Sequence, residues 1–296
     1  MAISFENCAD SFSLSIVIPA KNEAFGLSSL LPDLISLNIA DEIIVVDDGS
    51  SDSTSEVCKM NGVTLVRHPR SLGNGAAVKT GIRNASGDYV ALMDADGQHR
   101  AQDLASMIKR FSDGYDMVVG ARNWEGQAGV HRGLMNLIFN YLASWMVGQA
   151  VPDLTSGFRI AKRRLLLRFV YLMPNGFSYP TTTTMSFFRA GYSVAYEPVK
   201  VLERVGKSHI RPLKDGFRFL LIIFRIGVLY SPLKLFLPIS LAFFSAGFLY
   251  YAYTYYSFHR FTNMSALLLS TSILVFLMGL VSEQITMLNY RDSEKD

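Results

Sequence analysis

Short apolar runs alternate with segments of helical periodicity in the first part of the chain. The apolar runs lie at 14–18, 42–46, 63–66, 89–93 and 117–119. The helix-like segments between them lie at 26–38, 52–60, 75–84 and 101–112. Strands covered by helices on both faces are continuously apolar rather than alternating. The pattern therefore predicts βαβ units and an α/β domain with a mostly parallel sheet.

A different pattern follows the fifth run. The stretch from Trp124 to Val151 is amphipathic and predicts helices at the edge of the domain. At about 100° per residue, the basic side chains of 211–231 fall on one stripe of a helix and the apolar ones mostly elsewhere. The basic residues of this stripe are Arg211, Lys214, Arg218 and Arg225. Such a helix suits the interface of an anionic membrane; the alternative is a helix packed on the preceding domain.

Two long segments near the carboxyl end carry no charge. They cover 235–256 and 264–282, with His259 and Arg260 between them. At ~1.5 Å per residue they extend roughly 33 and 28 Å, close to a hydrocarbon core of about 30 Å. The short link leaves room only for a tight turn, so the sequence predicts a transmembrane hairpin whose ends lie on the same side.

Composition and charge support a membrane protein with a cytoplasmic domain. Half of the residues are hydrophobic, and the net charge is only +3. The amino-terminal residues show no secretory signal, and the basic residues before the first span follow the positive-inside rule. The small net charge argues against nucleic acid as a partner. We expect membrane lipids as partners instead. We predict a domain over 1–210, an interfacial helix over 211–231, and a hairpin with a short polar tail over 232–296.

Two carboxylates follow the fourth apolar run. Asp94 and Asp96 are expected at the carboxyl end of a buried strand, where α/β sheets place their ligand sites. Carboxylates two positions apart can hold Mg²⁺ or Mn²⁺ and leave coordination positions open for substrate phosphates. The pair therefore predicts a phosphorylated substrate.

The turns after the first two runs are expected at the same edge of the sheet. The first is Pro19-Ala20-Lys21-Asn22-Glu23, and the second is Asp47-Asp48-Gly49-Ser50. A carboxylate after the second strand can accept hydrogen bonds from a ribose or a base, and the Gly/Ser turn lets the backbone approach a ligand. The alternative for Asp47 and Asp48 is a turn that caps the next helix.

A glycine-containing loop follows the third run. Gly73-Asn74-Gly75 lacks the third glycine of a dinucleotide fingerprint and does not follow the first strand, which excludes an NAD site of that type. Lys79, in the following helix, can neutralise a phosphate or lie in solvent.

Six motifs in this order resemble family 2 glycosyltransferases of the GT-A fold, a Rossmann-like architecture. They are Pro19 to Glu23, Val45 to Ser50, Gly73 to Gly75, Asp94 to Gln98, Ser156 to Arg159, and Arg204 to Ser208. With the hairpin, the chain is similar to the polyprenyl-phosphate branch, which includes dolichyl-phosphate mannose synthases and bacterial undecaprenyl-phosphate glucosyltransferases.

The resemblance implies roles for individual residues. Asp94, Asp96 and Gln98 would hold Mg²⁺ or Mn²⁺ on the diphosphate of the donor. The nucleotide-sugar pocket would contain Pro19, Asn22, Glu23, Asp47, Asp48 and Lys79. Arg122 and Arg132 would bind the acceptor phosphate, and Arg204, Lys207 and Ser208 would close over the diphosphate. Two positions depart from the family: Asn74 replaces a basic residue, and Asn136, a further acceptor candidate, replaces a small hydroxyl residue.

The implied reaction moves a sugar from a UDP- or GDP-hexose to a polyprenyl phosphate. Because a phosphate monoester is mostly ionised above its second pKa of about 6, a single inverting displacement needs no strong base. A processive polysaccharide synthase is one alternative, although its Gln-x-x-Arg-Trp motif and additional spans are not found. A non-catalytic nucleotide-sugar sensor is the other. Ser245, Ala246 and Gly247 would let helices approach closely, which is compatible with a homo-oligomer.

Overall fold

The computed structural model describes residues 12–122, 130–176, 178–200, 224 and 227–293, without the side chains of 130–136 and 289–293. The chain forms two compact units, Met1–Ser208 and His209–Asp296. The first carries the sheet and the second carries the two long carboxyl-terminal helices.

Strands and helices alternate in the first unit. The strands are β1 Leu14–Ala20, β2 Glu42–Asp47, β3 Thr64–Arg67, β4 Tyr89–Leu92, β5 Met117–Arg122, β6 Arg159–Lys162 and β7 Val194–Val199. The helices are α1 Ala24–Leu37, α2 Thr54–Met60, α3 Asn74–Asn84, α4 Ala101–Phe111, α5 Val130–Val147, α6 Arg163–Phe169 and α7 Tyr179–Arg189. The predicted α/β class is confirmed, and the first five strands lie where the apolar runs predicted them.

The strands of the described residues form one sheet in the order β3-β2-β1-β4-β6-β5-β7. All neighbouring pairs are parallel except those of β6, which runs antiparallel to β4 and β5. The carboxyl ends of β1, β2, β4 and β5 therefore meet at one edge, where β6 begins. This edge brings together turns that are far apart in sequence.

Helix α1 shows how the apolar pattern becomes packing. Leu27, Leu30, Leu31 and Leu34 recur at helical spacing, and all are buried against the sheet in the main core. Full burial of one such side chain contributes about 1.5–3 kcal/mol. Helix α4 uses the same spacing for its own buried face. These two stripes fix α1 and α4 against the sheet and thereby position the loop that connects β4 to α4.

Strand β6 was not predicted from the sequence. It has only four residues, and it begins with Arg159, whose side chain is fully buried. A charged residue at the start of a short strand breaks the apolar pattern on which the prediction depended. Its antiparallel insertion between β4 and β5 makes the sheet mixed rather than purely parallel.

The second unit contains a helical hairpin. Helices α8 Pro232–Phe258 and α9 Asn263–Ser293 are long and apolar enough to cross a membrane, and they contain both predicted spans. Ser240 and Ser272 each donate a hydroxyl hydrogen bond to the other's carbonyl, at 3.0 and 2.9 Å. The missing side chain of Gly247 lets α8 approach Leu268 and Leu269 closely. The predicted hairpin is confirmed, and Gly247 allows close packing between its two helices.

The predicted interfacial helix lies mainly outside the described residues. Of 211–231, the structure describes Phe224 and 227–231. The basic stripe of that helix is therefore still a prediction.

Candidate active site

The turns after β1 and β2 are joined by hydrogen bonds. Asn22 has φ 55°, and its backbone N–H donates to Ser50 Oγ at 2.9 Å. The Asn22 Oδ1 accepts from the Ser51 N–H at 2.9 Å. The Glu23 N–H donates to Thr54 Oγ1 at 3.1 Å. The structure thus brings together the two turns that the sequence assigned to the nucleotide pocket, and Asn22 is the residue that connects them. Pro19 is buried at the end of β1, beside Val46 of β2.

Asp47 is buried at the end of β2. Its carboxylate accepts from the Ser50 N–H at 2.7 Å and the Ser55 hydroxyl at 2.6 Å, and Arg67 Nε lies 3.4 Å away. Burial alone would raise the pKa of Asp47, but the serine hydrogen bonds and the Arg67 charge bring it below its usual value. These contacts support the alternative role of Asp47 in shaping the turn; its nucleotide contact stays a prediction.

Asp48 connects the end of β2 to the loop before α3. His68 Nδ1 lies 2.7 Å from Asp48 Oδ1, and the Ser71 hydroxyl donates to Oδ2 at 2.6 Å. The N–H groups of Leu72 and Gly73 donate at 2.8 and 2.9 Å. Burial works against the charged form, but these donors lower the pKa of Asp48 from 3.8 to about 2. Asp48 therefore holds the loop at the edge of the site.

Replacing Asp48 with Asn is expected to destabilise the protein by about 1–3 kcal/mol, because an amide N–H₂ would face donors that now share a carboxylate. The pKa of Asp48 is lower in the folded protein than in the unfolded chain. The ionised Asp48 therefore contributes its full stabilisation above pH about 4, and this contribution is lost as pH falls through 2. Thermal unfolding of the detergent-solubilised chain at pH 7 measures the effect, with Asp113→Asn on the exposed surface as the control. An unchanged unfolding temperature would contradict this role.

Lys79 packs against the segment before α7. Its ammonium donates to the Met173 carbonyl at 3.2 Å and to the Asn175 side-chain oxygen. Nearby, the Ala76 N–H at the start of α3 donates to the Asn175 carbonyl at 3.0 Å. Lys79 thus fastens α3 to this segment. These contacts correspond to neither sequence-based alternative, and the phosphate role of Lys79 stays a prediction.

The Asp94–Asp96 loop lies against the first turn of α1. A Cβ on Gly26 would come within 2.1 Å of the Ala95 carbonyl oxygen, so only glycine permits this approach. Gly97 has φ +71°, and the Gln98 N–H donates to Asp96 Oδ1 at 3.2 Å. The loop is therefore fixed by α1 on one side and by its own turn on the other.

Gly26→Ala is expected to disturb this loop and to lower activity, although alanine favours a helix by up to about 1 kcal/mol over glycine. The new Cβ would overlap a backbone atom of the loop that carries both carboxylates. Thermal unfolding and sugar transfer are the measurements. Gly176→Ala is the matched control, because a Cβ there meets nothing within 4 Å. Wild-type activity in Gly26→Ala would show that the loop does not require this contact.

Gly157 and His99 surround Asp94. A Cβ on Gly157 would lie 2.5 Å from Asp94 Oδ2, so the missing side chain leaves room for the carboxylate. The buried His99 ring has its Nε2 3.9 Å from Asp94 Oδ2. Burial lowers the pKa of His99 to about 4, which keeps the ring neutral near pH 7. In the sequence, Gly157 is part of a motif that gives it no role of its own, and the only signal for His99 is its position after Gln98.

The acidic pair fits a hard divalent ion with an incomplete protein shell. The Asp94 side chain is 34% exposed, so it is open to solvent on one side. Within the described part of the chain, no group of three His, Cys, Asp or Glu side chains is placed to hold a metal. Mg²⁺ and Mn²⁺ accept one or two carboxylates when substrate phosphates and water complete the shell.

Arg122 lies at the end of β5 and pairs with Asp153. Its Nε and Nη2 donate to the two Asp153 oxygens at 2.7 and 2.9 Å, and Nη2 also donates to Thr155 Oγ1 at 2.5 Å. Burial would lower the pKa of Arg122, but Asp153, and then Asp94, raise it. The guanidinium is therefore permanently charged, directed by a buried acid, and within electrostatic reach of Asp94.

Arg159 is the first residue of β6, and its side chain is fully buried. Its Nη1 donates to the Pro180 carbonyl at 2.9 Å and to Thr184 Oγ1 at 3.2 Å, and its Nη2 donates to the Ser156 carbonyl. These bonds tie α7 and the loop before β6 together. The motif that ends at Arg159 is visible in the sequence, but nothing in the sequence indicates this role for the side chain.

For the other site candidates, the structure does not describe the side chains. Arg132 and Asn136 belong to α5, but their side chains are not among those described. Arg204, Lys207 and Ser208 fall in the segment that follows residue 200, which is likewise not described. Their roles stay predictions.

The chain is similar to known proteins in both of its parts. The family model "Glycosyl transferase family 2" matches residues 15–171, and "GtrB C-terminal hairpin" matches 231–288. Glycosyltransferase AglJ of Haloferax volcanii is 27% identical over 94% of this chain and 95% of its own. A dolichyl-phosphate hexose transferase of the same organism is 28% identical over 69% of this chain and 89% of its own.

The fold is also similar to solved structures. Glucosyl-3-phosphoglycerate synthase from Mycobacterium tuberculosis, in a complex with Mn²⁺, UDP and phosphoglyceric acid, matches with a TM-score of 0.60 and 22% identity, over 73% of this chain and 77% of that one. This similarity concerns the fold alone and is consistent with the GT-A-like architecture expected from the motifs. The chain belongs to glycosyl transferase family 2 and is a glycosyltransferase with a carboxyl-terminal membrane hairpin of the GtrB type.

Proposed function

We propose that this glycosyltransferase moves a hexose from a UDP- or GDP-sugar to a polyprenyl phosphate, with inversion at the anomeric carbon. The observation that carries the proposal is the meeting of the Asp94 loop with Arg122 at one sheet edge, in a chain that ends in a membrane hairpin. Asp94 follows β4 and Arg122 ends β5, both strands pair with β6, and Gly157, just before β6, lies against the Asp94 carboxylate. An acidic pair suits a donor diphosphate that is bound through a divalent ion. A fixed cation suits the phosphate of the acceptor.

The donor would bind across the turns after β1, β2 and β4. Asn22, Glu23, Asp47 and Asp48 belong to the joined turns, whose hydrogen bonds would shape the wall of a donor pocket. The solved structure with UDP and Mn²⁺ supports a nucleotide donor and a divalent ion for this fold. Asp94, Asp96 and Gln98 would hold Mg²⁺ or Mn²⁺, which neutralises negative charge on a leaving diphosphate when it is bound.

The acceptor would be a lipid phosphate. A relative is named dolichyl-phosphate hexose transferase, and the hairpin keeps the enzyme in the membrane that dissolves such a lipid. Arg122 and Arg132 would bind the phosphate oxygens, because a guanidinium presents paired donors in a plane. Arg204, Lys207 and Ser208 would bind the donor diphosphate. A catalytic domain in the cytoplasm, where nucleotide sugars are available, is part of the proposal.

The chemistry requires positioning more than proton transfer. A phosphate monoester carries a nucleophilic oxyanion near pH 7, so this chain need not supply a general base. The residues at the sheet edge would orient the phosphate opposite the leaving diphosphate and exclude water from the anomeric carbon. One displacement of this kind inverts the configuration.

The proposal is tested by supplying the purified enzyme with a panel of UDP- and GDP-sugars, a polyprenyl phosphate and Mg²⁺ or Mn²⁺. We expect one donor class to give a glycolipid whose anomeric configuration, read by NMR, is opposite to that of the donor. A retained configuration would contradict the single displacement. Donor binding without transfer to any lipid phosphate would contradict the proposed acceptor.

A further inference from the structure

Asp153 gathers more donors than a surface acid normally does. It lies in the loop between α5 and β6, and its side chain is only 6% exposed. Its carboxylate accepts from the Arg122 N–H, Nε and Nη2 at 3.2, 2.7 and 2.9 Å. It also accepts from the N–H groups of Thr155 and Ser156, each at 3.1 Å. One buried carboxylate thus organises both the end of β5 and the loop that leads into β6.

The pair is better explained by orientation than by stability. Burying two charges costs solvation free energy, and the attraction between the two charges does not reliably offset this cost. The bidentate contact, however, fixes the plane and direction of the guanidinium. Burial would raise the pKa of Asp153, but Arg122 holds it below the usual range, so the pair stays ionised near pH 7. Arg122 itself remains 29% exposed, which leaves part of it accessible from solvent.

The same carboxylate acts on the surroundings of Asp94. The loop that it organises continues through Ser156 to Gly157, which lies against the Asp94 carboxylate. Arg159 follows Gly157 by two positions and begins β6. In the sheet it pairs with Leu92 of β4 on one side and with Val119 of β5 on the other. Asp153 is therefore connected to both strands whose ends carry the predicted phosphate-binding groups.

We propose that Asp153 is a positioning residue that holds the Arg122 guanidinium in register with the Asp94 loop, so that acceptor phosphate and donor diphosphate are presented to each other. This inference rests on the proposed function for the identity of the two phosphates. The orientation of Arg122 by Asp153 has a readout of its own, independent of any substrate.

The first test measures transfer by Asp153→Asn, which keeps the shape of the side chain and removes its charge. We expect kcat/KM for the polyprenyl phosphate to fall about 10- to 100-fold, the range seen when a group that orients a metal ligand is removed. Binding of the nucleotide sugar should change less than this. The control is Asp116→Asn, because Asp116 pairs with Lys162 at 2.7 Å at the opposite end of β5. An equal loss in the control would overturn the proposal.

A double-mutant cycle separates positioning from general destabilisation. If Asp153 acts through Arg122, Asp153→Asn should cost little further activity in an Arg122→Lys background. Additive losses would overturn the proposal. Thr155→Val, which removes the hydroxyl that accepts from Arg122 Nη2 and donates to Asp153 Oδ1, provides a milder variant if Asp153→Asn folds poorly. It should reduce acceptor efficiency in the same direction, and an unchanged value would contradict the proposal.

A second readout requires no substrate. Phenylglyoxal modifies arginine side chains, and peptide mass spectrometry gives the rate at each position. We expect Asp153→Asn to speed modification of Arg122, relative to the 56% exposed Arg67 as internal reference, while Asp116→Asn does not. Equal Arg122 rates in wild type and Asp153→Asn would overturn the proposal. Faster modification in a protein that transfers no sugar to a lipid phosphate would instead reject the proposed function and retain the orienting role.

Discussion

Asp96→Asn is expected to abolish sugar transfer while the protein remains folded. The substitution keeps the side-chain oxygen that accepts from the Gln98 N–H at 3.2 Å, so the turn can persist. It removes the negative charge with which the loop would hold a divalent ion on the donor. We expect a loss of at least about 100-fold in kcat, in the range seen when a group that stabilises transition-state charge is removed.

Two measurements separate this loss from misfolding. Thermal unfolding should match the wild type, and Mn²⁺ binding, followed by electron paramagnetic resonance in the presence of UDP, should be weakened. Asp113→Asn changes an exposed carboxylate that pairs with Arg110 at 3.2 Å and should behave as wild type in both assays. Full transfer activity in Asp96→Asn would eliminate the proposed metal site.

Arg122→Lys is expected to weaken use of the lipid phosphate while preserving the charge beside Asp153. Lysine keeps a cation against the buried carboxylate, so the destabilisation of an unpaired acid is avoided. It cannot reproduce the planar fork that donates to both Asp153 oxygens and would also meet a phosphate. Since a hydrogen bond to a charged group contributes about 1.5–3 kcal/mol, we expect kcat/KM for the acceptor to fall about 10- to 100-fold.

The contrast between the two substrates makes this prediction specific. Titration with the nucleotide sugar should give nearly wild-type affinity, whereas the dependence of rate on lipid phosphate should change strongly. Arg110→Lys, at an arginine that also pairs with an aspartate but on the exposed surface, should alter neither. If Arg122→Lys weakened donor binding alone, Arg122 would belong to the donor site.

Much of the fold was readable from the sequence because the relevant signals are local. The continuous apolar runs marked β1 to β5, because a strand that is buried on both faces requires apolar residues at successive positions. The uncharged segments marked α8 and α9, because a helix that crosses a bilayer requires about 20 apolar residues in a row. The Asp94–Asp96 pair was placed correctly because it directly follows a strand that the pattern had already located.

The remaining features depend on contacts between distant segments. The Arg122–Asp153 pair requires β6 to run antiparallel between β4 and β5, and no local pattern announces that order. The close approaches of Gly26 and Gly157 to the Asp94 loop likewise appear only when α1 and the loop before β6 are in place. The residue types of Asp47, Asp48 and Lys79 suit phosphates and riboses, but they also suit a helix-capping turn or, for Lys79, a position in solvent. Their internal hydrogen bonds depend on partners such as Ser55, His68 and Met173.

The most direct measurement of the central claim compares two acceptors that differ only in the phosphate. Enzyme in liposomes receives labelled nucleotide sugar, Mg²⁺ or Mn²⁺, and either a polyprenyl phosphate or the corresponding polyprenol. The account predicts label in the lipid fraction with the phosphate alone, lost on chelation of the metal and in Asp96→Asn. Equal labelling of the polyprenol, or labelling that persists in full with chelator, would contradict it.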